Sequence, residues 1–324
     1  MKKQIFLLAI LLVCISTIRI HTTYTQKITI QGLIDNASRG DTIYLPKGTY
    51  YEHLYINKSL TLIGAPTTID GNGTRYAVYI ENVDLFPETR GPVTVKNLVL
   101  QNALDGIYIS CGCPNCTIED CTIQNTTYAM PMCDARNFTI KNNLFRNNTS
   151  GIDFYGIGNT FIGNRIENTY GNAILLCGDH IWSSTNNTFQ DNILLDNYVG
   201  IYIVCYSNNN TFFRNTFINS TYANMIIELS QSNLIYYNNF FKRGSQVMFI
   251  GVEYLNFWSN GTHGNYWSDY NGTDLESDGI GDVPYYVTEL NFDPYPLMTD
   301  PQEATRKSPE SQVGPGGGGK YYHW

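Results

Sequence analysis

Apolar and polar positions recur with a period of about 22 residues between Val93 and Lys242. The segments "VTVKNLVLQN" (93–102), "CTIEDCTIQN" (116–125), "FTIKNNLFRN" (138–147), "NTFIGNRIEN" (159–168), "NTFQDNILLD" (187–196), "NTFFRNTFIN" (210–219) and "NLIYYNNFFK" (233–242) align without gaps. Their second residues fall at 94, 117, 139, 160, 188, 211 and 234, giving steps of 23, 22, 21, 28, 23 and 23. One apolar column reads Val95, Ile118, Ile140, Phe161, Phe189, Phe212, Ile235, and a second reads Leu100, Ile123, Phe145, Ile166, Leu194, Phe217, Phe240. Later in each repeat a small residue precedes alternating apolar ones, as in Gly106-Ile107-Tyr108-Ile109 and Gly200-Ile201-Tyr202-Ile203.

Alternation with period two is the signature of strands, and no 3.6-residue period competes with it here. Three short strands per repeat, stacked at constant register, predict an all-β parallel β-helix. A polar column, Asn143, Asn164, Asn192, Asn215 and Asn238, lies between the first two strands of successive coils. Stacked amides there are expected to form a hydrogen-bonded ladder and to take the left-handed backbone that tight turns need. Upstream, a short capping helix is expected over Gln31–Ser38, followed by strands at Thr42–Leu45, Leu54–Ile56 and Leu60–Ile63. Such a helix would shield the open end of the core, as a solenoid requires.

The repeats, together with "GNYWSDYNGTDLESDGIGDVPYYV" and the later "DPYPLM" (293–298), resemble the right-handed parallel β-helix family of NosD-type and pectate-lyase-like proteins. The closing segment is similar to that of archaeal secreted or surface members. The resemblance covers about residues 27–298 and implies the fold. It does not imply one activity, because this scaffold carries lyases, hydrolases, epimerases, adhesins and accessory proteins. It divides the chain into a leader (1–25), the β-helix (26–262), an aromatic and acidic closing segment (263–300) and a flexible tail (301–324).

Composition narrows the partners. Only 15% of residues are charged and the net charge is −8, with no basic run, so nucleic acid is disfavoured. Lys2 and Lys3 precede an apolar run from Ile5 to Ile15, a signal-peptide pattern too short for a comfortable membrane span. The mature chain is therefore expected to be secreted or displayed at the cell surface, with no membrane span. Asn-X-Ser/Thr triplets are dense, for example at Asn125, Asn186 and Asn209, and read either as glycosylation acceptors or as a by-product of an Asn- and Thr-rich sequence.

Cys14 lies in the leader, which leaves seven cysteines. Cys111 and Cys133 end the third strand in consecutive coils, as do Cys177 and Cys205, and the coil spacing suits disulfides within each pair. "CGCPNC" (111–116) admits a soft-metal reading, and NosD-type resemblance implies copper delivery, but Met130 and Met132 fall in inward columns and copper is disfavoured.

Three further constellations carry possible chemistry. Asp274, Glu276, Asp278 and Asp282 form D-x-E-x-D-G-x-x-D with Gly279 at the bend, a pattern of alternating oxygen ligands that suits Ca²⁺, although the terminal Glu of an EF-hand is missing. Asp153 is the single acid among the outward third-strand positions, and Asp179-His180 is the best acid/base dyad, so these three would serve a polysaccharide lyase, hydrolase or epimerase. Tyr108, Tyr155, Tyr202 and Tyr206 are expected to line up beside Leu175 and Met248, either to stack sugar rings or to be covered by the aromatic closing segment. Lys96, Glu119 and Lys141 should form a charge ladder, and Arg146 should pair with Glu167. The leading expectation is a non-catalytic β-helix protein that binds carbohydrate or a cell-surface component, with the enzyme and the copper-handling accessory as rivals.

Overall fold

The computed structural model describes residues 29–81, 91–110, 113–177 and 184–302. It is a right-handed parallel β-helix of about nine turns, and every ladder between its coils is parallel. Register is constant along the first- and second-strand ladders of the repeats: Thr139, Thr160, Thr188 and Thr211 pair in sequence on the first strand, and Phe145, Ile166, Leu194 and Phe217 on the second. Both predicted apolar columns are fully buried. The phenylalanines stack nearly face to face, with Phe161–Phe189 at 4.6 Å and Phe189–Phe212 at 4.8 Å between ring centres. The small residue before the third strand has a steric cause: a Cβ on Gly151 would lie 2.1 Å from the Ala173 carbonyl oxygen of the next coil.

The asparagine ladder is present. In each rung one amide oxygen accepts two hydrogen bonds from the previous coil: Asn143 N and Nδ2 both donate to Asn164 Oδ1 at 3.0 Å. The ladder continues through Asn192, Asn215, Asn238 and Asn265. A second ladder runs through Asn159, Asn187, Asn210, Asn233 and Asn256. One expectation is corrected. The left-handed residue is the one before the ladder asparagine, namely Asn142 (φ 55°), Gly163 (65°), Asp191 (55°), Arg214 (54°) and Tyr237 (56°). That residue makes the bend and faces outward, which leaves the asparagine free to turn its amide inward. The same geometry explains the dense triplets. In Asn186-Asn187-Thr188 and Asn209-Asn210-Thr211 a left-handed turn residue, a ladder residue and the first strand residue follow one another.

The helix (α1, Ile30–Asn36) plugs the N-terminal end with Ile30 and Ile34. Opposite charges hold its two ends. Glu52 accepts from the Ile30 and Gln31 amides, and Lys58 Nζ donates to the carbonyls of Ile34, Asp35 and Ala37. Both contacts favour the helix dipole. At the other end the aromatic stack leaves the coils and continues into the closing segment: Phe217–Phe240 (4.8 Å), Phe240–Trp267 (4.4 Å) and Trp267–Tyr285 (4.2 Å). The closing segment therefore caps the end of the core. It does not lie over the outer face of the third strands, because its large rings extend the buried second-strand column. Gln302 then returns alongside the last coils, accepting from Thr216 Oγ1 and Asn239 Nδ2.

The surface charges follow the coil stacking with one correction. Lys96 and Lys141 sit 2.8 and 3.0 Å from the two Glu119 oxygens. Glu167 pairs with Arg165 on its own strand, while Arg146 donates to Gln124 Oε1 of the preceding coil, although Arg146 and Glu167 are in register. Among the described residues no helix is long and apolar enough to cross a membrane.

Candidate functional site

The outward positions of the third strands form one column along the solenoid. Tyr55, Tyr79 and Tyr108 are in register in the first coils, and Asp153 pairs with Pro131 on one side and Leu175 on the other. Leu175, Tyr202, Ile226 and Met248 continue it. The tyrosines are in contact: ring centres lie 5.5 Å apart for Tyr55–Tyr79 and 5.2 Å for Tyr79–Tyr108. Beside them a second register row runs Tyr76, Asp105, Tyr128, Ser150. His53 fixes the start of that row through hydrogen bonds with the Tyr76 carbonyl and Thr74 Oγ1.

The two rows enclose a cleft of about 380 Å³ lined by Arg75, Tyr76, Tyr79, Leu104, Asp105 and Tyr108. Asp105 is half-buried and burial pushes its carboxyl upward, yet among the described residues it accepts no hydrogen bond. Arg75 is exposed and pairs with no carboxylate among the described residues. A half-buried acceptor without a donor is a cost that a ligand hydroxyl would relieve. The cleft opens at Leu104 into a groove of about 500 Å³ bordered by Asn102, Asn125, Thr127, Asn147 and Thr149.

The predicted sugar-binding tyrosines do not form one line. Tyr108 lies in the cleft. Tyr202 shares its column but is separated from it by Pro131, Asp153 and Leu175, and its hydroxyl is held by Glu228 against an apolar patch of Val199, Ala223, Ile226 and Met248. The Tyr155 hydroxyl lies 2.7 Å from Cys133 Sγ at the strand end, and Tyr206 sits in a left-handed turn. Tyr55, Tyr76, Tyr79, Arg75 and Asp105 were missed. The available signal was Ala77-Val78-Tyr79-Ile80, which repeats Gly106-Ile107-Tyr108-Ile109 one coil earlier.

Of the candidate catalytic residues, Asp153 is half-buried, its carboxyl is raised by burial, and both of its oxygens accept from Ser150 Oγ. Its column neighbours, Pro131 and Leu175, supply no second carboxylate. Asp179 and His180 lie outside the described residues. In the acidic loop the carboxylates close the loop on itself. Asp274 accepts from the Asp278 and Gly279 amides, Asp278 from Ile280 N, and Asp282 from Leu275 N and the Thr273 hydroxyl. Glu276 is exposed. Among the described residues no three His, Cys, Asp or Glu side chains converge on a metal position.

Cys133 is disulfide-bonded, and Cys111 lies outside the described residues. Cys177 and Cys205 are free thiols, contrary to the expected pairing. The Cys177 thiol donates back to the Phe154 carbonyl of the preceding coil, and Cys205 sits in a left-handed turn with φ 55°. Cys113, Cys116 and Cys121 are buried, and the hydrogen bond with Cys113 together with burial pushes the Cys116 thiol well up, which favours its protonated form. Met130 and Met132 are in the core. Among the described residues these cysteines gather into no group of three or more His, Cys, Asp or Glu side chains that could hold a metal.

A family model described as "Periplasmic copper-binding protein (NosD)" matches residues 15–272. No curated protein matches the chain. Among solved structures, the chain is similar to the catalytic unit of a GH87 α-1,3-glucanase from Streptomyces thermodiastaticus (16% identity, TM-score 0.46, covering 76% of this chain and 67% of that one). It is also similar to pectate lyase Pel9A (14%, 0.46, 76% and 73%) and to an alginate lyase from Paenibacillus (13%, 0.44, 75% and 96%).

Proposed function

The chain belongs to the NosD family of parallel β-helix proteins, and within that family we propose that it is a secreted or surface-held protein that binds carbohydrate on the outer face of its third strands without transforming it. The observation that carries this reading is the cleft in which Arg75 and Asp105, both unpartnered among the described residues, face three tyrosine rings. Aromatic faces take the apolar faces of sugars, and an unpaired carboxylate and guanidinium take their hydroxyls. The family description names the periplasm, and the Lys2-Lys3 start with its apolar run fits export. The same description names copper, which the sulfur donors do not fit, so no step is derived through it.

The test is one purified protein carried through a polysaccharide-binding screen and a product assay. Retention on a polysaccharide without new reducing ends or unsaturated sugars, weakened by Asp105→Ala, supports the reading. Turnover that disappears in Asp153→Ala would make the protein a lyase or hydrolase instead. Binding unaffected by Asp105→Ala and Tyr79→Ala would move the site off this cleft.

A further inference from the structure

The chemistry of the groove names the class of glycan, an inference that rests on the carbohydrate-binding reading above. Four coils border it, through Gly73, Asn102, Asn125 and Asn147, so it runs along the solenoid axis for about 14 Å at the spacing of stacked strands. An extended chain fits that direction better than a compact ligand. Its charges are unfavourable to a polyanion. Among the described residues Arg75 is the single cation lining the cleft, and Asp105 lines it too. Asp70, close behind, accepts from Gln101, Asn102 and the Asn72 amide, bonds that favour its ionised form. Glu81 adds a further carboxylate at the Tyr55 hydroxyl. Beyond Leu104 the walls are uncharged, with Asn102, Asn125, Thr127 and Thr149 offering amides and hydroxyls.

We propose that this groove takes an extended neutral polysaccharide, its rings against Tyr76, Tyr79 and Tyr108 and its hydroxyls shared between Asp105 and the amide-lined continuation. A polyuronate would bring one carboxylate per ring against Asp105, Asp70 and Glu81 with one guanidinium in compensation. For a neutral chain, recognition depends on stacking and hydrogen bonds, which salt screens little.

Calorimetric titration of the full chain distinguishes the classes. The probes are neutral gluco-, xylo- and manno-oligosaccharides, oligogalacturonate and oligoalginate, each at low and high salt. A neutral series should bind with affinity insensitive to salt and should lose about tenfold in Asp105→Asn, the effect of one hydrogen bond to a charged group. Arg75→Gln, at an exposed side chain with no partner among the described residues, provides a second variant that keeps the fold. It should weaken the same ligands, while Tyr198→Ala on the separate Tyr198–Tyr222 stack should not. Tight, salt-sensitive uronate binding lost in Arg75→Gln would overturn the neutral class and leave carbohydrate binding standing. No binding by either class would overturn both.

Discussion

Asp293 occupies the place of the next amide above Asn265. Its Oδ2 accepts from the Asn265 amide at 2.7 Å and from Trp267 Nε1 at 3.0 Å, so a carboxylate ends the ladder that asparagines build. A Cβ on Gly264 would lie 1.7 Å from Asp293 Oδ1, which explains the glycine there.

That placement predicts a pH dependence. Burial pushes the Asp293 carboxyl up to about 6, against 3.8 in the unfolded chain, and its hydrogen bonds only partly offset this. The folded state therefore binds the proton more tightly. The favourable contribution is complete below the unfolded value and is lost as pH rises through about 6, on the order of 3 kcal/mol in total. Denaturant midpoints measured from pH 4 to 8 should fall across this window, and Asp293→Asn should flatten the curve. An unchanged slope in the variant would assign the dependence to other groups.

Ladder amides should be far more sensitive than surface ones. Asn192 accepts from Asn164 N and Nδ2 and donates to the Phe161 carbonyl and Asn215 Oδ1. Asn192→Ala leaves all four buried partners short and should cost about 3 kcal/mol or more by urea denaturation. Asn271→Ala, at an exposed asparagine of the closing segment, should stay within about 0.5 kcal/mol.

Trp267→Ala removes the ring between Phe240 and Tyr285 and should open the cap locally. Solenoid coils depend on their neighbours, so amide exchange should accelerate from about Asn238 to Gln302 and stay unchanged near Val93–Ile109. Uniform acceleration would mean that the cap controls the whole coil stack.

Thiol accessibility should follow burial. Under native conditions iodoacetamide should label Cys177 and Cys205, and it should reach Cys113, Cys116 and Cys121 only after unfolding. Non-reducing peptide maps should place Cys133 in a disulfide, with Cys111 as the expected partner. A linked Cys177–Cys205 peptide would contradict the free thiols found at both positions.

Calcium should leave the melting temperature unchanged relative to chelator, because Asp274, Asp278 and Asp282 already close their loop through backbone amides. A rise in calcium that disappears in Asp278→Asn would put the ion in this loop.

The coil columns were legible because a solenoid packs each residue against its own equivalent about 22 positions away. Phe189 meets Phe161 and Phe212, so a column of like residues in the alignment is already a list of contacts. The cleft was harder to find. The coil carrying Tyr76 and Tyr79 rounds its corners inside one long strand, Leu60–Ile80, with a left-handed asparagine at Asn72 alone. Asp105 and Arg75 become neighbours only when that coil stacks under the next. Thr169 and Ser220, at turns where neighbouring coils use asparagine, are buried with hydroxyls that find no partner among the described residues.

By itself the sequence determined the coil period, the inward columns, the amide ladder and the Lys96–Glu119–Lys141 stack, because each depends on equivalent positions meeting at constant register. Only the tertiary structure decided what depends on side-chain direction or on a register outside the repeat. It placed the left-handed turn one residue before the ladder, left Cys177 and Cys205 as free thiols and set Asp293 above Asn265. It also left Arg75 and Asp105, among the described residues, unpaired beside three tyrosines. Periodicity specifies which residues share a column, whereas the rotation of each side chain is fixed by the neighbours that the completed stack provides.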